Sequence, residues 1–113
     1  MPLQTIVETP EYMRRADSVG LSTEDRRAIV DFLSANPEAG VSLGGGLRKV
    51  RFARPGAGKS GGYRVLHFYR MRELPVFLLS VFAKNEQANI SKKAKAALIE
   101  LCDRIVATYG VMK

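Results

Sequence analysis

Residues 75–84, PVFLLSVFAK, are apolar almost without interruption and rich in β-branched and aromatic side chains. The run is well short of the ~18 residues needed to cross a membrane. It is also too apolar for a sheet with one face in water. It therefore predicts a central β-strand covered on both faces. A chain of 113 residues has length for one such core, so residues 1–113 are expected to form a single domain in which helices cover one sheet.

The flanking segments fit this frame. LQTIVET (3–9) has the β-branched content of a first strand. Thr9, Pro10 and Glu11 read as N-cap, first-turn proline and first-turn acid of a short helix ending by Gly20. In STEDRRAIVDFLSANP, Ser22 and Asp25 have capping-box spacing. Ile29, Phe32 and Leu33 supply that helix's apolar stripe, and Pro37 stops it. LRKVRFA (47–53) and YRVLHFYRM (63–71) read as strands. Ser91 caps a last helix whose Ala94, Ala97, Leu98, Leu101, Ile105 and Thr108 form the expected stripe, with Gly110 as its C-cap. The predicted order is β-α-α-β-β-β-α: an α+β fold, a mostly antiparallel sheet with helices packed against it.

The stretch ARPGAGKSGGYR (53–64) places Gly58, Lys59 and Ser60 as a nucleotide-binding P-loop would. Ala53 stands where that motif needs its first glycine, and the loop leads into β-branched and aromatic residues instead of a helix. Nucleotide binding is excluded on these grounds, and a hairpin connection with a cation at Lys59 is expected.

Net charge is +7, which favours an anionic partner: nucleic acid, ribosome, acidic protein or membrane surface. The single cysteine, Cys102, and single histidine, His67, leave no donor set for zinc. No metal and no cofactor are expected. The amino-terminal segment carries acids where a signal peptide carries basic residues, which points to the cytoplasm. Strand alternation puts Arg48, Val50 and Phe52 on one face and Lys49 and Arg51 on the other. In the next strand Arg64, Leu66 and Phe68 share a face against Tyr63, Val65 and His67. Simple hairpin pairing then sets Arg51 opposite Arg64, an unfavourable juxtaposition unless the charges are spread or hold a polyanion. Lys49, Arg51, Arg54, Lys59, Arg64 and Lys84 all map to one end of the sheet. A solvated outer face and an anion-binding face both remain open at this point.

The series GGGLRKVRFARPGAGKSGGYRVLHFY (44–69), then VFLLSVFAKNEQANIS (76–91), resembles the RelE superfamily of bacterial toxin–antitoxin toxins, and within it the HigB-type branch. Phe82 stands where that branch often has Tyr, His67 where an aromatic is usual, and Asn89-Ile90 where Asp-Leu is common. The resemblance implies a ribosome-dependent, metal-free endoribonuclease that cuts mRNA and halts translation. It also implies a cognate helix-turn-helix antitoxin as partner, with the toxin a monomer when free or else held in a heteromeric complex. Carried onto this chain, the catalytic candidates are Arg64, Lys84, Lys59 and Arg51; the RNA-binding candidates are Arg48, Lys49, Arg54, Asn85 and Glu86. Arg64 suits charge stabilisation on phosphate, because its guanidinium binds bidentately and keeps its proton. A lysine inside a cation cluster can work as acid or base. Lys84 is the first choice, with Lys49 and Lys59 as alternates. Glu86 reads as a base or as the partner of a nearby cation. His67 reads as a partly buried packing residue before a catalyst, Tyr109 as a packing residue before a base-stacking one, and Cys102 as core. A gyrase-poisoning toxin of the ParE kind and a non-catalytic RNA- or ribosome-binding module share the fold and stand as alternatives.

Overall fold

A computed structural model describes residues 3–53, 62–83 and 91–110 of the chain. The elements are β1 (Ile6–Glu8), α1 (Pro10–Ser18), α2 (Thr23–Ala35), β2 (Val41–Gly44), β3 (Leu47–Ala53), β4 (Gly62–Phe68), β5 (Val76–Ala83) and α3 (Lys92–Gly110). The strands form one mixed sheet in the order β1-β5-β4-β3-β2. β1 runs parallel to β5, and the other pairings are antiparallel. The α+β architecture is the expected one, with one strand more than the sequence suggested. β2 is a short, mostly exposed edge strand, VSLG, whose Val41/Leu43 alternation lasts only four residues before the glycines at 44–46.

The helix starts follow their local chemistry. The Thr9 side chain accepts from the Tyr12 amide, and Ser22 and Asp25 complete a reciprocal capping box. The Ser91 hydroxyl accepts from the Ala94 amide at 3.1 Å. The apolar stripe of α3 is rotated from the expected one: Leu98, Ile99, Cys102, Ile105 and Val106 face the sheet, whereas Ala94, Ala97, Leu101 and Thr108 are exposed. Phe32, expected in the core, is 43% exposed and meets the Phe52 ring edge-on at 5.5 Å.

The sheet has a core on each side. On one face Val50, Tyr63, Val65, Val76, Leu78 and Val81 pack with Tyr12 and Ala16 of α1 and with Ile29 and Leu33 of α2. On the other, Leu47, Leu66, Phe68, Phe77 and Leu79 pack with Cys102 and its neighbours on α3. β5 is buried from Val76 to Val81, as its apolar run requires. β4, at the centre, is buried at every position except Arg64.

The β2–β3 turn is held against α3. Arg70 donates through Nε to the Gly45 carbonyl at 3.1 Å and through Nη2 to Asp103 at 2.7 Å. Gly46 has φ +92°, and a Cβ there would stand 2.7 Å from Cε1 of Phe68. Both conditions exclude a side chain. Gly46→Ala is expected to lower stability by about 1–3 kcal/mol in urea denaturation; a loss below about 0.5 kcal/mol would mean that the turn relaxes freely.

Candidate nucleic-acid interface

The seven-residue β3–β4 ladder pairs Leu47 with Phe68 at one end and Ala53 with Gly62 at the other. Within it Arg51 lies directly opposite Arg64, and Lys49 opposite Leu66. Directly opposed residues share a face, so Lys49, Arg51 and Arg64 stand on the side covered elsewhere by α3. Cβ atoms of such pairs are about 4.5–5.5 Å apart. On its other flank Arg64 is paired with Phe82 of β5. A row Arg51–Arg64–Phe82 thus crosses three strands. Arg51 is exposed and Arg64 half-buried. The apolar packing of α3 lies towards the opposite end of this face, around Leu47 and Phe68.

Arg48 belongs to the other face. It is paired with His67, and its guanidinium donates to the Ala39 and Gly40 carbonyls, each at 3.2 Å. That arginine ties down the segment entering β2. Of the residues singled out in the sequence, Lys49, Arg51 and Arg64 come together and Arg48 does not join them. Arg54, Lys59, Lys84, Asn85 and Glu86 lie outside the described residues, as does the side chain of Tyr109.

One cation near the row went unread in the sequence. Arg15 of α1 donates through Nε to the Val81 carbonyl at 3.1 Å, and its guanidinium carbon is 5.3 Å from the centre of the Phe82 ring. Nothing local distinguishes it from Arg14, which pairs with Glu11 at 2.6 Å within the same helix. The contact spans 66 residues of chain, beyond the reach of any periodicity argument.

His67 is wholly buried. Its Nε2 is 3.0 Å from the Pro37 carbonyl, which can only accept, so Nε2 carries the proton. Nδ1 is buried without a partner among the described residues. Burial above all, with Arg48 adding to it, holds the imidazole below its ordinary pKa against the opposing pull of the Pro37 carbonyl. This is a neutral packing residue. Burial pushes the Cys102 thiol up to about 11, which leaves it protonated and unreactive. Among the described residues no His, Cys, Asp and Glu side chains gather into a group that could hold a metal ion. None of the described helices is long and apolar enough to cross a membrane. A cavity of about 530 Å³ is floored by Ile29, Phe52 and Tyr63 and rimmed by Glu24 and Asp25. It opens on the face away from the arginine row and carries the opposite charge.

The fold and this surface describe a small basic α+β protein whose central strands present guanidinium groups side by side. A model of the family described as the RelE toxin of the RelE / RelB toxin–antitoxin system matches residues 6–110. The chain belongs to the RelE toxin family, and so to the toxins of toxin–antitoxin pairs, whose partner is an antitoxin.

The buried imidazole makes stability depend on pH. The folded state holds His67 neutral, while the unfolded chain takes up a proton near the ordinary value of 6.5. Below that pH the unfolded state binds more protons, so stability falls as pH falls, until the folded-state value is passed. Urea denaturation of wild type and His67→Phe between about pH 8 and about pH 5 is expected to show this component in the wild type and its loss in the variant. Parallel pH profiles for the two would refute it.

Proposed function

We propose that the protein is a ribosome-dependent mRNA endoribonuclease of the HigB-type branch, acting in the cytoplasm without a metal and silenced by a helix-turn-helix antitoxin. The observation that carries this reading is the direct opposition of Arg51 and Arg64, with Lys49 on the same face. Cationic side chains set side by side on one sheet face form the footprint that a chain of phosphates matches.

Cleavage of RNA by its own 2′-hydroxyl requires three things. The hydroxyl loses its proton, the pentacovalent phosphorane carries added negative charge, and the departing 5′-oxygen takes a proton. Arg64 is assigned the second task. It projects from the rigid, otherwise buried β4, and its planar fork matches two phosphoryl oxygens. Arg51 and Lys49, with Lys59 and Arg54, grip the flanking backbone. Lys84, which directly follows Ala83 at the end of β5, is assigned proton transfer, with Asn85 and Glu86 beside it in the chain.

The test is induced expression with mapping of transcript ends, wild type beside variants. New mRNA ends are expected only with the wild type and only where ribosomes translate. Arg64→Ala removes them, and Lys84→Ala weakens cleavage by about 10²–10⁴-fold. Growth arrest without new ends, accompanied by gyrase-linked DNA breaks, would overturn the reading in favour of a ParE-like poison. Binding to ribosomes without either would leave a binding module.

The charge opposition also predicts opposite effects on stability and activity. Arg51→Thr removes the repulsion and installs a good strand former, so stability rises by about 0.2–1 kcal/mol while cleavage falls. Chemical denaturation and the transcript assay, run on the same variant, check both signs.

A further inference from the structure

We propose that the exposed flank of α2 seats a basic amphipathic helix of the antitoxin, held by two large apolar side chains set two turns apart. The inference rests on membership of the toxin family and not on the nuclease reading. It concerns the face of the sheet away from the arginine row.

α2 carries two apolar seams. Ile29 and Leu33 are buried and tie the helix to the sheet. Ala28, Phe32 and Ala35 follow at i, i+4 and i+7 on the neighbouring flank, and all three are exposed. That spacing is the one with which a helix meets another helix. The alanines leave room for a backbone to approach. Phe32 stands between them as the large side chain, braced edge-on by Phe52.

A hollow lies at each end of this seam. Ala28 lines the cavity floored by Ile29, Phe52 and Tyr63. Ala35 lines a second one of about 440 Å³, shared with Phe32, Pro37 and Ala39. Ala28 and Ala35 are two turns apart, about 10 Å along the axis. A helix laid beside α2 reaches both hollows with apolar residues at i and i+7. An extended segment covers that length in about three residues, and strand alternation then turns the second side chain away.

Charge defines the rest of the partner. Glu24 and Asp25 rim the first hollow and Glu38 the second, and Asp31 lies on the same flank, three residues after Ala28. Glu24, Asp31 and Glu38 form no ion pair among the described residues. The cations of α2 are turned elsewhere: Arg26 pairs with Asp17 at 2.6 Å, and Arg27 stands roughly 100° round the helix from Ala28. The seam therefore suits lysines or arginines on either side of the two anchors. The same acids turn away RNA, and two copies of the seam packed together would oppose acid to acid.

The probe is a synthetic sixteen-residue helical peptide, fluorescently labelled, with leucines two turns apart, alanine and glutamine between them and lysines at both ends. Anisotropy against the full-length protein is expected to show binding in the range of about 1–100 μM, weakening as salt rises. Phe32→Ser and Ala28→Gln, both at exposed positions, each weaken it about tenfold or more while thermal melting still shows a folded protein. Glu24→Gln combined with Asp31→Asn flattens the salt dependence. Arg14→Ala changes neither, and a peptide with glutamate in place of lysine does not bind. The toxin–antitoxin complex, purified after co-expression, takes up no peptide because its own helix fills the seam.

Absence of binding, binding undiminished by Phe32→Ser, or equal binding of the glutamate peptide would overturn the proposal. So would a purified complex that takes up the peptide as readily as the free toxin, because the antitoxin then lies elsewhere. If the wild type makes no new mRNA ends but the peptide results hold, the nuclease reading fails and the docking seam remains. If the wild type cleaves mRNA and the peptide does not bind, the inference alone fails.

Discussion

Arg51 faces Arg64 because the β3–β4 ladder leaves neither anywhere else to go. Side chains alternate with a period of two, so slipping β3 by one residue would carry Val50 and Phe52 to the face where Leu47 and Lys49 now stand. Val50 and Tyr63 are buried against α1 and α2, and Leu47 and Phe68 against α3. Each buried side chain of this size contributes about 1.5–3 kcal/mol, whereas cross-strand pair effects on one sheet face are on the order of 1 kcal/mol or less. Burial on the two faces outweighs the repulsion several-fold. The register is thus set by apolar contacts, and the guanidinium groups are held together as a consequence.

The same alternation gives neighbouring cations different work. Arg48 and Arg51 lie three residues apart on β3 and on opposite faces. Arg48 is used up locally, on two carbonyls in the approach to β2. Arg51 stands exposed in the row with Arg64. His67 sits on the Arg48 side, where desolvation keeps it neutral and the Pro37 carbonyl fixes its tautomer. The residue that invites an acid–base assignment on chemical grounds is thereby committed to packing. The arginine row, by contrast, consists of groups that keep their charge.

Much of this was legible in the residues. The caps at Thr9 and Ser22 announced two helices, the apolar run announced β5, and hairpin logic gave the Arg51–Arg64 pairing before any coordinates. These signals are local or depend on a short connection. What escaped was set by distant chain. β2 is defined by pairing with β3, and its own Val41/Leu43 alternation is cut short by the glycines at 44–46. The stripe of α3 is rotated towards Ile99 and Cys102, whose partners include the Gly45 turn and the cluster around Phe68, both far away in sequence. Arg15 looks like any helical arginine until the end of β1 exposes the edge of β5. Arg48 is an RNA-binding candidate only by family resemblance, which says nothing of the Ala39 and Gly40 carbonyls that its guanidinium meets.

The glycine-rich stretch that mimics a P-loop sharpens the contrast with helix-based anion sites. A helix N-terminus holds phosphate through backbone amides and a partial charge of roughly +0.5. In this fold the N-terminus of α2 is closed by its own capping box, with Glu24 and Asp25 in its first turn. Those acids rim the cavity on that face, so a phosphate approaching there meets negative charge. The opposite face offers whole charges on side chains that rise from strands. Salt screens such charges over about 8–10 Å, so their grip is felt at contact distance and by groups that span the row. A polyanion meets that condition better than a lone phosphate does. On the proposed nuclease reading, this division of charge between the two faces would bring a chain of phosphates to the arginine side of the sheet.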